Sequence, residues 1–468
     1  MKRLPVSLMA HWCGGELHGD DVVVDSINND TRSLMPGGMY VALRGERFDG
    51  HDFAYDSAMR GAAALLVEHL VEVELPQVVV ADAQLALAQM ARQLQLERRA
   101  QVVAITGSNG KTSVKTLLQA ILERAGSSYV NPGNRNNEIG LPLAVIDAPD
   151  DADFAIYEMG AGKPGDIAYL TDIVTPQVAL VNNVAAAHLE RLGSLLGVAE
   201  TKGAIYAALP ADGVVVINAD DAFAEYFAQR AGARRVLRFG LDSSAEVTAR
   251  DVQVHEQGSR FVLMCGDGEA AIELPLPGRH NVLNALAAAS LALACGVALA
   301  TIAEGLNAAR PVAGRQIAHA LGDGVVLIDD SYNANPGSLT AAIETLAALP
   351  GEAWLVLGDM RELGADAEAL HVDAGRRAKS AGISRLYTLG ALSAAAAQAF
   401  GDGAHSFDSH ATLAEAVRGD LLQRPVATNA PALRILVKGS RGSAMERVVS
   451  RLLAAPASRP GEGTTHAA

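Results

Sequence analysis

Residues 102–114 read VVAITGSNGKTSV, an apolar run that leads into a glycine-rich turn and a Lys-Thr pair. This order predicts a buried strand ending at Thr106, a loop, and a helix beginning near Thr112. Such a loop brings backbone N–H groups and a helix N-terminus close to phosphate oxygens. The common P-loop has a glycine five residues before the one that precedes the lysine. Ile105 stands there, so the sequence indicates a phosphate loop of an unusual type.

The side chains of this loop indicate how it would hold ATP or GTP. Lys111 would reach between the β and γ phosphates, and Thr112 would offer its hydroxyl to Mg²⁺. The alternative is an ordinary strand-to-helix turn with a chance Gly-Lys pair, which the strand before and the helix after disfavour. The predicted nucleotide loop consists of Thr106, Gly107, Ser108, Asn109, Gly110, Lys111, Thr112 and Ser113.

Composition restricts the class of protein. A chain of 468 residues is too long for one compact core, and 50% hydrophobic with 19% charged residues is typical of a folded enzyme. The net charge of −15 disfavours general binding to nucleic acid, which needs an extended basic surface. We therefore expect small-molecule partners, no nucleic acid, and, as the simplest assumption, a monomer.

The cysteines and the apolar runs favour the cytoplasm. Cys13, Cys265 and Cys295 are odd in number and widely spaced, which predicts neither a disulfide framework nor a zinc site. Pro5, Ser7 and His11 interrupt the apolar N-terminus, so it is a weak signal peptide at best. No uninterrupted apolar run reaches about 18 residues, so we expect no transmembrane helix.

Strand and helix patterns predict an α/β protein with three domains. Residues 1–98 hold short strands and two helical stretches. Residues 99–312 alternate near-continuous apolar runs with helices, as in a parallel sheet, and alternation in 245–275 predicts an antiparallel excursion. A third α/β series fills 313–455, and the small, polar residues 456–468 predict a disordered tail.

Several residues at strand ends and in helices are ambiguous when taken singly. Glu158 closes the apolar run FAIYE, where a Mg²⁺ ligand and a solvated strand-end acid are about equally expected. His188 follows another strand, and Lys202 lies in a helical stretch beyond it. Neither residue type indicates a function there without further support.

Polar residues of the later chain are similarly open to two interpretations. Asn281 and Asn284 fall on one face of a predicted helix, where they suit either an adenine edge or, for Asn281, helix capping. Arg315 precedes a strand near the second domain boundary and could reach bound phosphates. Asp330 closes that strand.

Together these stretches resemble one family along nearly the whole chain, the ATP-dependent Mur ligases of peptidoglycan synthesis. The shortened loop of residues 106–112 matches their ATP loop better than the general P-loop. The features that favour the member joining D-alanyl-D-alanine to UDP-N-acetylmuramoyl-tripeptide are NPGNRNNEIGLP (131–142), EMGAGKPGDI (158–167), DDSYNANPGS (329–338), GDMRELG (358–364) and VKGSRGSAME (437–446).

The resemblance implies a UDP-binding N-terminal domain, a central ATP-binding domain, and a Rossmann-like C-terminal domain that closes over ATP and helps to bind the dipeptide. The stretch DTRSLMPGGMYVALRGERFDGHDF (30–53) resembles the UDP signature. By the same resemblance, Ser26, Thr31 and Arg32 would contact the uridine and its phosphates.

The resemblance also implies roles at the catalytic centre. Glu158 and His188 correspond to Mg²⁺ ligands, beside Thr112. Lys202 corresponds to a lysine that carries a CO₂-derived carbamate and so helps to hold a second Mg²⁺. Lys111, Glu158, His188 and Lys202 are thus the expected catalytic residues. The family often has Gly-Glu after this lysine, whereas Gly203-Ala204 follow it here.

The remaining implied roles concern the substrates. Asn281 and Asn284 match adenine-side positions, Arg315 an arginine on the ATP phosphates, and Asp330 an acid near the ATP ribose. Stretches that face the peptide substrates contain Asn136, Asn137, Asn333 and Asn335.

Three alternatives remain at this stage. A sister ligase that adds a single amino acid, or an enzyme of the folyl-polyglutamate type, would share the general plan, although the Asp-Asn-Pro-Arg signature of one sister is missing here. A P-loop nucleotide switch would explain the loop but neither the UDP-type signature nor the Lys202 region. A binding-only paralogue is disfavoured because the expected catalytic residues are all present.

Overall fold

The computed structural model describes residues 1–45, 47–424 and 432–454. The chain divides into two compact units. The first comprises Met1–Asn182, Ala199–Val247 and Ala287–Gly305. The second comprises Asn183–Val198, Thr248–Leu286 and the part that begins at Leu306.

The first unit begins with a five-stranded sheet in the order β2-β7-β6-β5-β4, in which only β2 runs antiparallel to its neighbour. Asp82 caps the long helix that follows, because its carboxylate accepts from the N–H of Leu85. The elements are β1 (Leu4–Pro5), α1 (Val6–Cys13), β2 (Glu16–His18), β3 (Val23–Val24), β4 (Ile27–Asn28), β5 (Met39–Val41), α2 (Ala54–Met59), β6 (Ala64–Val67), β7 (Gln77–Val79) and α3 (Ala83–Glu97).

A six-stranded, all-parallel sheet follows, in the order β13-β12-β11-β8-β10-β9. Its first strand, β8, lies between β11 and β10, so the topological switch point of the sheet is at β8. The elements are β8 (Gln101–Thr106), α4 (Lys111–Leu122), β9 (Ser128–Val130), α5 (Gly140–Asp147), β10 (Phe154–Glu158), α6 (Asp166–Val174), β11 (Val178–Val181), α7 (Leu189–Leu192), α8 (Leu195–Ala207), β12 (Val214–Asn218), α9 (Ala224–Ala231) and β13 (Arg235–Phe239).

A three-stranded antiparallel sheet comes next in the chain, as the alternating pattern of residues 245–275 predicts. Its strands are β14 (Thr248–His255), β15 (Gly258–Cys265) and β16 (Gly268–Leu274), and the helices α10 (Arg279–Ala294) and α11 (Leu299–Asn307) follow.

The second unit ends in a six-stranded sheet in the order β17-β18-β22-β19-β20-β21, parallel except for β17. Its last strand lies between its first two parallel strands, which creates a second switch point. The elements are β17 (Ile317–Gly322), β18 (Val325–Asp330), α12 (Pro336–Ala348), β19 (Glu352–Gly358), α13 (Ala367–Ser380), β20 (Arg385–Leu389), α14 (Ser393–Phe400), β21 (Ala404–Phe407), α15 (His410–Gln423), β22 (Leu433–Lys438) and α16 (Glu446–Leu453).

The predicted fold class is confirmed: an N-terminal α/β sheet, a central parallel sheet, an antiparallel excursion and a Rossmann-like C-terminal sheet. The boundaries predicted at residues 98 and 312 stay predictions. The predicted tail, residues 456–468, lies outside the described part of the chain.

Candidate active site

The glycine-rich loop joins the end of β8 to the start of α4, at the switch point of the central sheet. Gly110 has φ of 77°, a left-handed conformation that favours glycine, and it directly precedes the helix. The Thr106 hydroxyl donates to the Met159 carbonyl at 3.0 Å, and the Asn182 amide donates to the Asn109 carbonyl at 3.0 Å. These contacts hold the loop and the α4 N-terminus in the arrangement that binds anions.

Glu158 is a buried carboxylate beside this loop, 4% exposed, and both of its oxygens are hydrogen-bonded. Its Oε2 accepts from the Thr112 hydroxyl at 2.8 Å and lies 3.3 Å from Lys115 Nζ. Its Oε1 accepts from the Asn136 amide at 2.9 Å. Burial raises the pKa of Glu158, but the charges of Lys115 and Lys111 and these hydrogen bonds outweigh burial, so the net pKa is lowered. Glu158 is therefore an ionised carboxylate, the form that ligates Mg²⁺.

Two further lysines differ sharply in their surroundings. Lys111 Nζ donates to the Gly107 carbonyl at 2.7 Å. Lys202, on α8, is 1% exposed and has neither a hydrogen bond nor an ion pair to any described residue. Burial, assisted by the charge of Lys111, lowers the pKa of Lys202 well below its ordinary value. Lys202 is thus suited to be a neutral amine rather than an ammonium ion.

His188 belongs to the second unit, where it precedes α7 with φ of 57°. Its Nδ1 lies 2.5 Å from Oε2 of Glu362, in the GDMRELG stretch. A carboxylate only accepts, so Nδ1 carries the proton in a neutral His188. The structure describes no cluster of three or more His, Cys, Asp or Glu side chains that could hold a metal on its own.

The predicted adenine-side residues lie in contact with each other. The Asn284 amide donates to Asn281 Oδ1 at 3.3 Å, and the Asn281 amide donates to the Pro277 carbonyl at 2.8 Å. The capping interpretation of Asn281 is wrong, because α10 already begins at Arg279 and the Asn281 amide donates to a preceding carbonyl.

The predicted phosphate and ribose residues are both engaged within the second unit. The Arg315 guanidinium lies over the Tyr332 ring, 4.4 Å from its centroid. Lys438 Nζ donates to Asp330 Oδ2 at 2.6 Å. Burial raises the pKa of Asp330, although the Lys438 charge opposes that rise.

The expected UDP-binding residues lie around β4. The Ser26 hydroxyl is buried and has no described hydrogen-bond partner. The exposed Arg32 guanidinium forms two hydrogen bonds with the Asp30 carboxylate, at 2.9 and 2.7 Å, and Thr31 hydrogen-bonds to Asp56.

The four asparagines expected to face the peptide all form hydrogen bonds within the protein. The Asn137 side chain accepts from Gly140 N–H, and the Asn333 side chain accepts from the N–H groups of Ala334 and Arg441. Asn335 caps α12, in a capping box with Ser338. The Asn136 amide donates to Glu158, a predicted metal ligand, at 2.9 Å.

Sequence reasoning missed four residues at or near these positions. The missed residues are Lys115, Asn182, Glu362 and Lys438. Lys115 had a detectable signal, because it shares a helical face with Lys111 and with buried apolar residues of α4. Glu362 had none, because its contact with His188 depends on the tertiary fold.

Three domain models of one family match this chain. Residues 23–109 match the model of the Mur ligase family catalytic domain, 105–292 the Mur ligase middle domain, and 314–441 the Mur ligase glutamate ligase domain. UDP-N-acetylmuramoyl-tripeptide–D-alanyl-D-alanine ligase of Escherichia coli (strain K12) is 43% identical over 97% of this chain and 99% of its own.

The solved structures that resemble this chain include the same ligase as its sequence relatives. A crystal structure of MurF from Acinetobacter baumannii has a TM-score of 0.92 and 30% identity, over 97% of this chain and all of that one. MurF ligase from Thermotoga maritima in complex with ADP has a TM-score of 0.81 and 27% identity, over 92% of this chain and 97% of that one. Separately, no described helix is long and apolar enough to cross a membrane. The resemblance noted in the sequence is confirmed, and the chain belongs to the Mur ligase family.

Proposed function

We propose that this protein joins D-alanyl-D-alanine to the terminal carboxylate of UDP-N-acetylmuramoyl-tripeptide, with conversion of ATP to ADP and phosphate. The observation that carries the proposal is full-length similarity, at 43% identity, to a relative named for this reaction. The phosphate loop with the ionised Glu158 beside it supplies the chemical basis. A nucleotide switch would not account for that similarity.

The reaction begins with phosphoryl transfer, because a carboxylate is a poor acyl donor. The γ-phosphoryl group moves from ATP to the tripeptide carboxylate and gives an acyl phosphate, whose leaving group is phosphate. The loop N–H groups, the α4 N-terminus and Lys111 stabilise the negative charge that spreads over the transferring group. Arg315 is proposed to add a further positive charge.

The dipeptide amine then attacks the acyl carbon. A tetrahedral intermediate forms and collapses, and an amide bond replaces the bond to phosphate. Exclusion of water protects the acyl phosphate from hydrolysis, a role that we assign to closure of the C-terminal domain. The proposed binding residues are Ser26, Thr31 and Arg32 for UDP, Asn281, Asn284 and Asp330 for adenosine, and Asn136, Asn137, Asn333 and Asn335 for the peptides.

Magnesium fits the donor set around the loop. Thr112 and Glu158 offer the oxygen ligands that this hard cation prefers, and we propose that His188 joins them. Bound Mg²⁺ would neutralise phosphate charge during transfer. Asn136 and Lys115 keep the Glu158 carboxylate fixed, so the protein holds the ligand in place.

A carbamate on Lys202 also fits its surroundings. Burial lowers the pKa of Lys202, which favours the free amine, and the free amine can attack CO₂ with release of a proton. The new carbamate oxygens would supply a negative ligand for a second cation, which an ammonium ion could not. The missing glutamate two residues later leaves this proposal unaffected, because only the lysine forms the bond.

The decisive experiment measures phosphate release and product mass with UDP-tripeptide, ATP and Mg²⁺. We expect release to require D-alanyl-D-alanine and the product to be the UDP-pentapeptide. Faster turnover with UDP-dipeptide and a single amino acid would instead identify a sister ligase. We also propose that the protein is a monomer in the cytoplasm. Its three cysteines are free thiols, which fits a reducing compartment.

A further inference from the structure

A second lysine of α4 contacts Glu158 and takes no direct part in the phosphoryl transfer described above. The Lys115 side chain is 6% exposed, and its Nζ lies 3.3 Å from Glu158 Oε2. The same ammonium donates to the Asn131 carbonyl at 2.9 Å. Asn131 in turn pairs with the Glu158 backbone through hydrogen bonds of 2.8 and 3.1 Å. Lys115 is therefore a fixed cation beside the proposed metal ligand, not a solvated lysine.

The Glu158 carboxylate is largely saturated by protein donors. Its Oε2 contacts the Thr112 hydroxyl and the Lys115 ammonium, and its Oε1 accepts from Asn136. A carboxylate has about four acceptor positions, so one remains at Oε1. Its negative charge is already compensated by the buried Lys115, with Lys111 adding to the effect.

Without nucleotide, the protein therefore offers a divalent cation few ligands and little net negative charge. Mg²⁺ prefers about six oxygen ligands, and the described residues contain no group of three acidic, His or Cys side chains that could hold a metal ion. The attraction of Glu158 for such a cation is reduced by repulsion from the Lys115 ammonium. The phosphates of ATP would supply the ligands and negative charge that are lacking.

We propose that Lys115 is a positioning residue that makes metal loading at Glu158 depend on ATP. By neutralising the carboxylate it disfavours free divalent cations, so that the metal enters together with the nucleotide phosphates. The proposal rests on the proposed function only in taking Glu158 as a metal ligand.

The test is nucleotide-free binding of Mn²⁺, followed by its electron paramagnetic resonance signal, to the full-length chain. We expect weak binding to the wild type and at least about tenfold tighter binding to Lys115→Met, because the carboxylate loses its competing cation. Lys115→Arg keeps the charge and is expected to bind as weakly as the wild type. Equal affinities of wild type and Lys115→Met would overturn the proposal.

The double variant Lys115→Met/Glu158→Gln locates the effect. We expect this double variant to bind Mn²⁺ more weakly than Lys115→Met. If it bound Mn²⁺ as tightly as Lys115→Met, the metal would lie elsewhere, and the proposal would be overturned. If Lys115→Met is poorly folded, Lys115→Gln takes its place. Mn²⁺ is then expected to raise the unfolding temperature of that variant but not of the wild type, since a ligand that binds the folded state stabilises it.

These measurements use neither ATP nor peptide. A chain that ligates a different amino acid would still give the expected Mn²⁺ result, so failure of the substrate assignment and failure of this proposal are separable.

Discussion

Lys438 Nζ lies 2.6 Å from Oδ2 of Asp330, and the two residues are direct partners in the parallel ladder between β22 and β18. Both are almost fully buried, and the same ammonium donates to the Asn333 carbonyl at 3.0 Å. This ion pair thus connects the end of β18, where the DDSYNANPGS stretch begins, to the KGSRG stretch at the end of β22.

Removing Lys438 alone should destabilise the C-terminal sheet. Lys438→Met leaves the buried Asp330 charge uncompensated, which costs about 3–5 kcal/mol in comparable buried pairs. The double variant Asp330→Asn/Lys438→Met should be closer to the wild type, because no unpaired charge remains. Thermal unfolding followed by circular dichroism measures the stability of the two variants. A Lys438→Met protein at least as stable as the Asp330→Asn/Lys438→Met protein would contradict the expectation.

His280 should make stability depend on pH. Burial, with the charge of Lys438, lowers the pKa of His280 from 6.5 to about 4. A group with a lowered folded pKa favours folding above its ordinary pKa, and that contribution is lost as the pH falls from 6.5 towards 4. At pH 5 the loss is up to about 2 kcal/mol.

The check is denaturant unfolding at pH 7.5 and pH 5 for wild type and His280→Asn. The wild type should lose more stability between the two pH values, because the variant lacks the titrating ring. Identical losses would show that folding does not shift the pKa of His280.

Local pattern was enough to predict the parts of the site that lie within one strand-loop-helix unit. The strand to Thr106, the glycine turn and the helix behind it follow from the order of residue types, as does Glu158 at a strand end. The predicted helix start near Thr112 differs by one residue from the observed Lys111. The fold class followed from the same alternation of apolar strands and helices.

Contacts between distant segments were beyond such reasoning. The helical face of Lys115 gave a signal for its burial, but its contacts with Asn131 and Glu158 join distant segments and depend on the tertiary fold. The pairing of Glu362 with His188 likewise depends on the tertiary fold. Asn281 was open to a capping role because helix starts are uncertain by one or two residues.

Lys111→Ala should remove most phosphoryl transfer while leaving the fold intact. A charge aimed at the transferring group is worth about 10²–10³-fold in kcat. Its hydrogen bond to the Gly107 carbonyl lies within its own loop, so we expect the unfolding temperature to change little. Lys2→Ala, at an exposed lysine, is the matched control and should retain full activity. Comparable loss in both variants would mean that Lys111 has no special role.

Glu362→Gln should weaken the use of Mg²⁺ through His188. The carboxylate fixes the imidazole by its Nδ1, and loss of such a partner typically costs about 10–100-fold in metal affinity or activity. Activity measured against Mg²⁺ concentration should show a raised requirement for the metal. Glu368→Gln, an exposed acid on α13, is the control. An unchanged Mg²⁺ dependence in Glu362→Gln would show that the contact has no catalytic consequence.

Lys202→Met should separate chemistry from stability most clearly. The side chain is buried without a described partner, so an apolar group of similar length should leave the unfolding temperature equal or higher. Activity should nevertheless fall by at least about a hundredfold, because methionine cannot form the carbamate that would hold the second cation.

A direct test of the carbamate uses ¹³CO₂. The wild type should show a carbamate carbon in its nuclear magnetic resonance spectrum, and removal of CO₂ and bicarbonate should lower its activity reversibly. Lys202→Met should show neither effect. If Lys202→Met kept near-wild-type activity, the amine would be only a buried structural group, and the second cation would need another ligand.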